Sequence, residues 1–354
     1  MPLDLPALHQ RFAELKSAAQ QVPPPAQDEV QQALCDFFNA QSAQQISLWP
    51  DWQTLNLQLS QTLFQMLPPG TLAFALGDEF SNEAELWKAA AAQHGVQLSW
   101  LTTDPRRGTL SPETWQAALN AGARLLLLDA ATPTGLIYPL PRLLRQERPS
   151  QPIVIVNARP LAAHAPLDVQ RFDCDALLCP GDALFGPPIG LLYQRQPIQS
   201  NTTAVPSEAL SALQAALDYL QWLGQTYGDE FAERYAENFS GRPLHYKQAM
   251  AAIRSYEFEL SHTLLEELAR IPGIELLGPN DPYRVEERIP CFTFRLPTPP
   301  EYPPNTPLTF MVCNNLLKIE AFHYHTLDEA SAVVASLRVG QRAHRTAKNQ
   351  PEAI

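Results

Sequence analysis

The chain has 354 residues, 45% of them hydrophobic, and a formal net charge of -12. That is enough material for a large core, expected as one big domain plus a smaller one. The acidic balance argues against nucleic acid as a partner, and no apolar run reaches membrane-spanning length.

The first elements are helices. Leu8, Phe12 and Leu15 fall at helical spacing, Pro23-Pro24-Pro25 ends that helix, and Val30, Leu34, Phe37 and Phe38 share the face of a second one. Residues 1–45 are therefore expected as an N-terminal helical segment. A third helix over 53–67 stops at Pro68-Pro69-Gly70. From there the pattern alternates. Strands are expected at 71–76, 96–101, 124–129, 153–157, 173–179 and 189–193, with helices at 82–94, 111–119 and 140–146 between them. Apolar strands separated by helices predict a mostly parallel sheet covered by helices. Helices follow at 207–224, 227–236 and 243–270. Short strands at 274–277, 291–296, 309–313 and 317–322 and a helix at 327–337 then predict a small α+β domain, with a Pro-rich loop over 297–307. The expected division is a large α/β domain over 46–242, a linker helix and small domain over 243–340, and a disordered tail over 341–354.

The five cysteines are scattered and suit a reduced, cytoplasmic compartment. Cys174 and Cys179 lack neighbouring ligands, so no metal site is expected. The first residues have neither a charged nor an apolar leader region, so no secretory signal is expected. Dinucleotide, Walker and nucleophile-elbow motifs are missing.

Four segments carry more information. Asp104 stands before Gly108-Thr109-Leu110 at a helix entry. His164-Ala-Pro-Leu-Asp-Val-Gln-Arg-Phe-Asp-Cys-Asp175 leads into a strand and the turn Pro180-Gly-Asp-Ala-Leu-Phe-Gly-Pro187. Ala252-Ile-Arg-Ser-Tyr-Glu257 lies in a long helix, and His323-Tyr-His-Thr-Leu-Asp-Glu329 opens the final one. In this order they resemble the class V aminotransferase-like enzymes, the group containing the cysteine desulfurases.

The resemblance implies the fold of type I pyridoxal phosphate (PLP)-dependent transferases, and with it a homodimer. It also shows a dismantled site. The family's Schiff-base lysine corresponds to Ala183, preceded by Asp182 where the family has His. Alanine has no amine, so the cofactor cannot be bound covalently there. The family's carboxylate for the pyridine nitrogen corresponds to Asn157, which supplies no charge. Its stacking His corresponds to Phe80 and its Asn helper to Thr132. Its phosphate turn corresponds to Pro50-Asp51-Trp52, where an acid would repel phosphate and Pro lacks a donor. The loop with the desulfurase's nucleophilic cysteine has no counterpart before Cys313. Lys318 stands where the family has a carboxylate-binding Arg. Lys318, His164 and Arg159 are candidates for a residual ligand pocket, and His323 and His325 are weighed beside them.

No cofactor is expected on this reading. The expectation is an inactive homologue that binds a protein partner or a small carboxylate, as a homodimer or with an active relative. The alternative is a PLP-dependent desulfurase or lyase that holds its cofactor without the usual lysine.

Overall fold

Helices α1 (Leu5–Ala19) and α2 (Gln27–Phe38) open the chain. Asp4 caps α1, and Asn39 ends α2 in the left-handed conformation at φ 57°. The computed structural model describes residues 3–79, 81–104, 108–198, 204–297, 307–313 and 316–348, except the side chains of 313 and 339–348. Phe80, most of the Pro-rich loop and the last residues lie outside this set. The chain divides into two units. The first holds Met1–Thr103, Leu110–Thr132 and Tyr138–Ala252, and the second holds Asp104–Thr109, Pro133–Ile137 and Ile253–Ile354.

The first unit is built on a seven-stranded sheet. In chain order it contains β1 (Ile46–Trp49), α3 (Trp52–Gln65), β2 (Leu72–Leu76), α4 (Asn82–Gln93), β3 (Gln97–Trp100), α5 (Pro112–Asn120) and β4 (Leu125–Asp129). It continues through α6 (Leu140–Leu144), β5 (Ile153–Asn157), α7 (Val169–Phe172), β6 (Ala176–Pro180), β7 (Gly190–Gln194), α8 (Ser207–Tyr227) and α9 (Ala232–Tyr235). The spatial order is β1-β7-β6-β5-β4-β2-β3. Neighbours from β6 to β3 run parallel, while β7 is antiparallel to both β6 and β1. Leu125–Leu128 and Val154–Val156 are buried, as strands covered on both faces require. Leu55, Leu59 and Leu63 of α3 and Trp87 and Ala90 of α4 share one core with Ala73, Leu125, Ile155 and Leu178 of the strands.

The long helix α10 (Gly241–Ala269) passes from the first unit into the second after Ala252. The second unit adds β8 (Glu275–Leu276), β9 (Cys291–Arg295), β10 (Thr309–Cys313), β11 (Leu316–Glu320) and α11 (Leu327–Lys348). Its sheet has the order β10-β11-β9-β8 and is antiparallel throughout. Leu260, Leu264 and Leu268 of α10 pack with Phe292, Phe294, Ile319 and Val334 in its core. The architecture is the expected mixed α/β one, with a mostly parallel sheet.

Several local expectations need correction. Strand β1 was not expected at all. The helix expected over 227–236 is a 3-10 turn at Asp229–Phe231 followed by the single turn of α9, because Gly228 ends α8. The tail expected to be disordered from 341 is helical as far as Lys348, where Ala, Arg and Gln are good helix formers.

Candidate functional site

The carboxyl ends of parallel strands are where open α/β sheets bind ligands. In the first unit, Asp129 ends β4, Asn157 ends β5, and Gly77-Asp78 leave β2. The strand order places β2, β4 and β5 side by side, so these residues meet. Asn157 Nδ2 donates to Asp129 Oδ1 at 2.8 Å, and the Asp78 amide donates to Oδ2 at 3.1 Å. Asn157 Oδ1 accepts from the Arg159 amide at 3.1 Å. The residue Asp129 as a whole is half-buried, but its carboxyl is enclosed. Burial raises that carboxyl to about 7. The two hydrogen bonds oppose the rise, and the nearby Asp78 and Glu83 carboxylates add to it.

Gly77 makes this arrangement possible. A Cβ on it would lie 1.9 Å from Asp129 Oδ2, and its φ of 148° suits glycine alone. Beside the carboxyl is a cavity of about 30 Å³, bordered by Asp129, Asn157, Asp78, Glu83, Trp87 and Trp100. It has room for a water or two.

A second network links α3, α4 and the turn after β5. Glu83, in the first turn of α4, accepts from Trp52 Nε1 at 2.6 Å and from the Arg159 guanidinium. The guanidinium also lies 5.9 Å from the centre of the Trp52 ring. Trp52 is held in turn, since its carbonyl accepts from Asn56 Nδ2 at 2.9 Å and Asn56 Oδ1 accepts from Trp87 Nε1 at 3.0 Å. At the start of α3, Asp51 Oδ1 accepts from the Thr54 amide and Oδ2 from the Thr54 hydroxyl, both at 2.7 Å. The amide bond is the main reason the Asp51 carboxyl sits below its ordinary range, so it stays charged. The helix end that would receive an anion already holds one of the chain's own.

The other candidates are placed as follows. Ala183 is half-buried in the 3-10 turn Gly181–Leu184 between β6 and β7, Asp182 beside it is exposed, and Phe185 closes the turn at φ 64°. Thr132 is buried just after β4, and His164 is buried in the turns after β5. Phe80 lies outside the described residues. Lys318 belongs to the second unit, on β11, where its Nζ lies 3.3 Å from Glu320 Oε2. Burial pulls its ammonium down, but Cys291 and Glu320 outweigh this and the net shift is upward. The buried Cys291 thiol is itself held up at about 12, so Glu320 is the effective counter-charge. Lys318 and Arg159 are thus both already paired with carboxylates.

The His323-to-Glu329 motif builds the start of a helix. The Thr326 amide donates to Glu329 Oε2 at 2.7 Å and the Glu329 amide to Thr326 Oγ1 at 3.0 Å, a reciprocal capping box for α11. His325 Nδ1 accepts from the Phe322 amide at 2.9 Å, which leaves Nε2 to donate to the Pro307 carbonyl at 3.0 Å. The Tyr256 hydroxyl donates to the His325 carbonyl at 2.7 Å. His323 is fully buried. Among the described residues no group of side chains could hold a metal ion, and no helix is long and apolar enough to cross a membrane.

Sequence reasoning missed Asp129. Its one signal was an acid ending the Leu125–Leu128 run, beside a Gly-Asp ending another strand.

Comparison with known proteins agrees with the fold. The chain is 25% identical over 292 residues to a cysteine desulfurase of Serratia proteamaculans, covering 78% of this chain and 68% of that enzyme. It is 28% identical over 204 residues to a cysteine desulfurase of Escherichia coli O127:H6, covering 55% of this chain and 50% of that enzyme. Among solved structures, the apo cysteine desulfurase of Thermococcus onnurineus superposes with a TM-score of 0.69 at 16% identity, over 89% of this chain and 84% of that one. A cysteine desulfurase of Escherichia coli gives 0.67 at 16% identity, over 94% and 85%. The profile of the aminotransferase class-V family matches residues 16–298. On that match, this chain belongs to the aminotransferase class-V family.

Proposed function

We propose that this chain is a catalytically inactive member of its family, a pseudoenzyme that acts by binding. The observation that carries the reading is that the polar side chains of the strand-end site are spent on one another. Asp129, Asn157, Arg159, Glu83 and Trp52 form one bonded chain there.

The residues present do not fit PLP. Ala183 offers no amine, and the Asn157 amide is committed to Asp129 and the Arg159 amide. Asp51 keeps its negative charge at the start of α3, and Asp78, Glu83 and Asp129 border the strand-end cavity, an acidic setting that disfavours a phosphate ester. Of the cations, Arg159 is held by Glu83 and Lys318 by Glu320. This favours a protein partner over a small carboxylate, with the chain acting as a homodimer or beside an active relative. The four described cysteines are buried free thiols, which supports a cytoplasmic setting.

The competing reading is a desulfurase or lyase that keeps PLP without the lysine, and the named activity of its relatives favours it. Titration of the purified chain with PLP decides between them. No change in the absorption of the free cofactor is expected. A protein-bound band with turnover of cysteine to alanine establishes the enzyme instead.

A further inference from the structure

We propose that the end of the first unit opposite the strand-end site is a docking face for an acidic protein surface, read by a group of arginines. The strand directions place them. Strands β4, β5 and β6 run parallel and β7 runs against them, so the residues entering β4, β5 and β6 and those leaving β7 lie at one end of the sheet. Arg124 stands directly before β4, Arg148 before β5, Arg171 before β6 and Arg195 directly after β7. Arg142 and Arg145 join them from α6, which lies beside α7. Three residues apart in helical backbone, these two share a face. From β4 to β7 this end is about 14 Å wide. The other end of the sheet carries Asp78, Glu83 and Asp129 instead.

Contacts tie the group together. Asp173 accepts from Arg148 Nη2 at Oδ2 and from Arg195 Nη2 at Oδ1, both at 2.7 Å. One carboxylate shared by two guanidiniums leaves a positive charge over. Arg124 Nη1 donates to the Ser150 carbonyl at 3.3 Å. The nearby acids are mostly committed to other groups. Asp175 Oδ2 accepts from the Val154 amide at 2.8 Å, and both oxygens of Asp168 accept from Asn39 Nδ2 at 3.0 Å. Among the described residues Arg142, Arg145 and Arg171 have no carboxylate side chain as partner, and all three are exposed. They stand uncompensated on a chain whose net charge is -12. The planar fork of a guanidinium matches a carboxylate with two parallel hydrogen bonds. Exposed Glu147 sits among the arginines and opposes the continuous charge of a nucleic-acid backbone. A protein surface presents separate carboxylates and can leave Glu147 unopposed.

The inference rests on the binding role proposed above and names the kind of protein it serves, but it uses none of the strand-end residues. Titration with PLP reports on that site, so the two readings can fail separately. The test is fluorescence anisotropy of a labelled oligo-glutamate peptide with the purified full-length chain, at low and at physiological salt. The expected result is binding that weakens as salt rises. Arg142→Glu with Arg145→Glu loses two attractions and adds two repulsions, and should weaken binding on the order of tenfold at unchanged Tm. Arg234→Glu with Arg270→Glu is the control. It changes the net charge equally on exposed arginines elsewhere and should leave binding within about twofold. Arginines that only balance the end of α6 predict the reverse, a lower Tm and unchanged binding in the first pair, and that result overturns the proposal. So does a lack of binding at low salt, equal weakening in the two pairs, or tighter binding of a single-stranded RNA of the same length. If the first pair does not fold, Arg142→Gln with Arg145→Gln decides, with a loss of about threefold expected.

Discussion

Replacing Gly77 with Ala tests the site's construction at a single atom. The new Cβ would stand 1.9 Å from Oδ2, 2.3 Å from Cγ and 2.9 Å from Cβ of Asp129. None of these is a tolerable contact, so the carboxyl has to swing away. It then loses the Asn157 and Asp78 hydrogen bonds, at roughly 1 kcal/mol each, and leaves their donors partly unmet. Ala at φ 148° adds about 1–2 kcal/mol of backbone strain. The sum is about 3–5 kcal/mol, read as a loss of unfolding free energy in urea or a Tm drop of roughly 5 °C. Gly122→Ala is the control. Its φ is 86° and nothing lies within 4 Å of the added Cβ, so it should show the backbone strain alone, about 1 kcal/mol. A double-mutant cycle completes the test, with Asp129→Gly costing clearly less in the Gly77→Ala background than in the wild type. If Gly77→Ala is as mild as Gly122→Ala, or the two sites add without coupling, the packing of Asp129 against Gly77 is wrong.

Other outcomes follow from other parts of the molecule. Ala183→Lys does not create a PLP-binding protein, because Asn157, Asp51 and the Glu83–Arg159 pair are unchanged; a yellow, borohydride-fixable variant contradicts this. Lys247 is 2% exposed, with its ammonium donating to the Leu167 carbonyl, and burial depresses it to about 8. A depressed lysine costs the folded state fully below about 8, and the cost fades as pH rises towards the unfolded value of 10.5. Relative to Lys247→Met, the wild type should gain about 3 kcal/mol across that window, measured by urea titration at several pH values; parallel pH profiles sink the assignment. Thr326→Ala removes one half of the α11 capping box and should cost about 1 kcal/mol, while Thr326→Ser costs little. Equal losses in the two variants exclude the hydroxyl as the cap.

Much of this fold was legible in the sequence because its signals are local. Leu125–Leu128 and Ile153–Val156 announce buried strands. Ser111-Pro112-Glu113 announces a helix start, and Ser111 Oγ does accept from the Thr114 amide at 3.1 Å. What escaped depends on distant partners. Ile46–Trp49 is four residues before a Pro and has no periodicity of its own, yet it pairs with Gly190–Tyr193 at the sheet edge. The site followed the same rule. Comparing positions with a family's pattern drew attention to Asn157 and Ala183, residues that differ from that pattern. Asp129 meets Asn157 and Asp78 only through the order β2-β4-β5, and the sequence does not print that order. Lys318 looked like a surviving cation because Glu320, two residues on along the same strand, was not weighed as its partner.

The most direct test of a cofactor-free site is equilibrium dialysis of the purified full-length chain against PLP, followed by borohydride reduction and mass analysis. The account predicts no retained cofactor at micromolar concentrations and an unmodified mass. Stoichiometric PLP in the protein compartment, reducible or not, would contradict it.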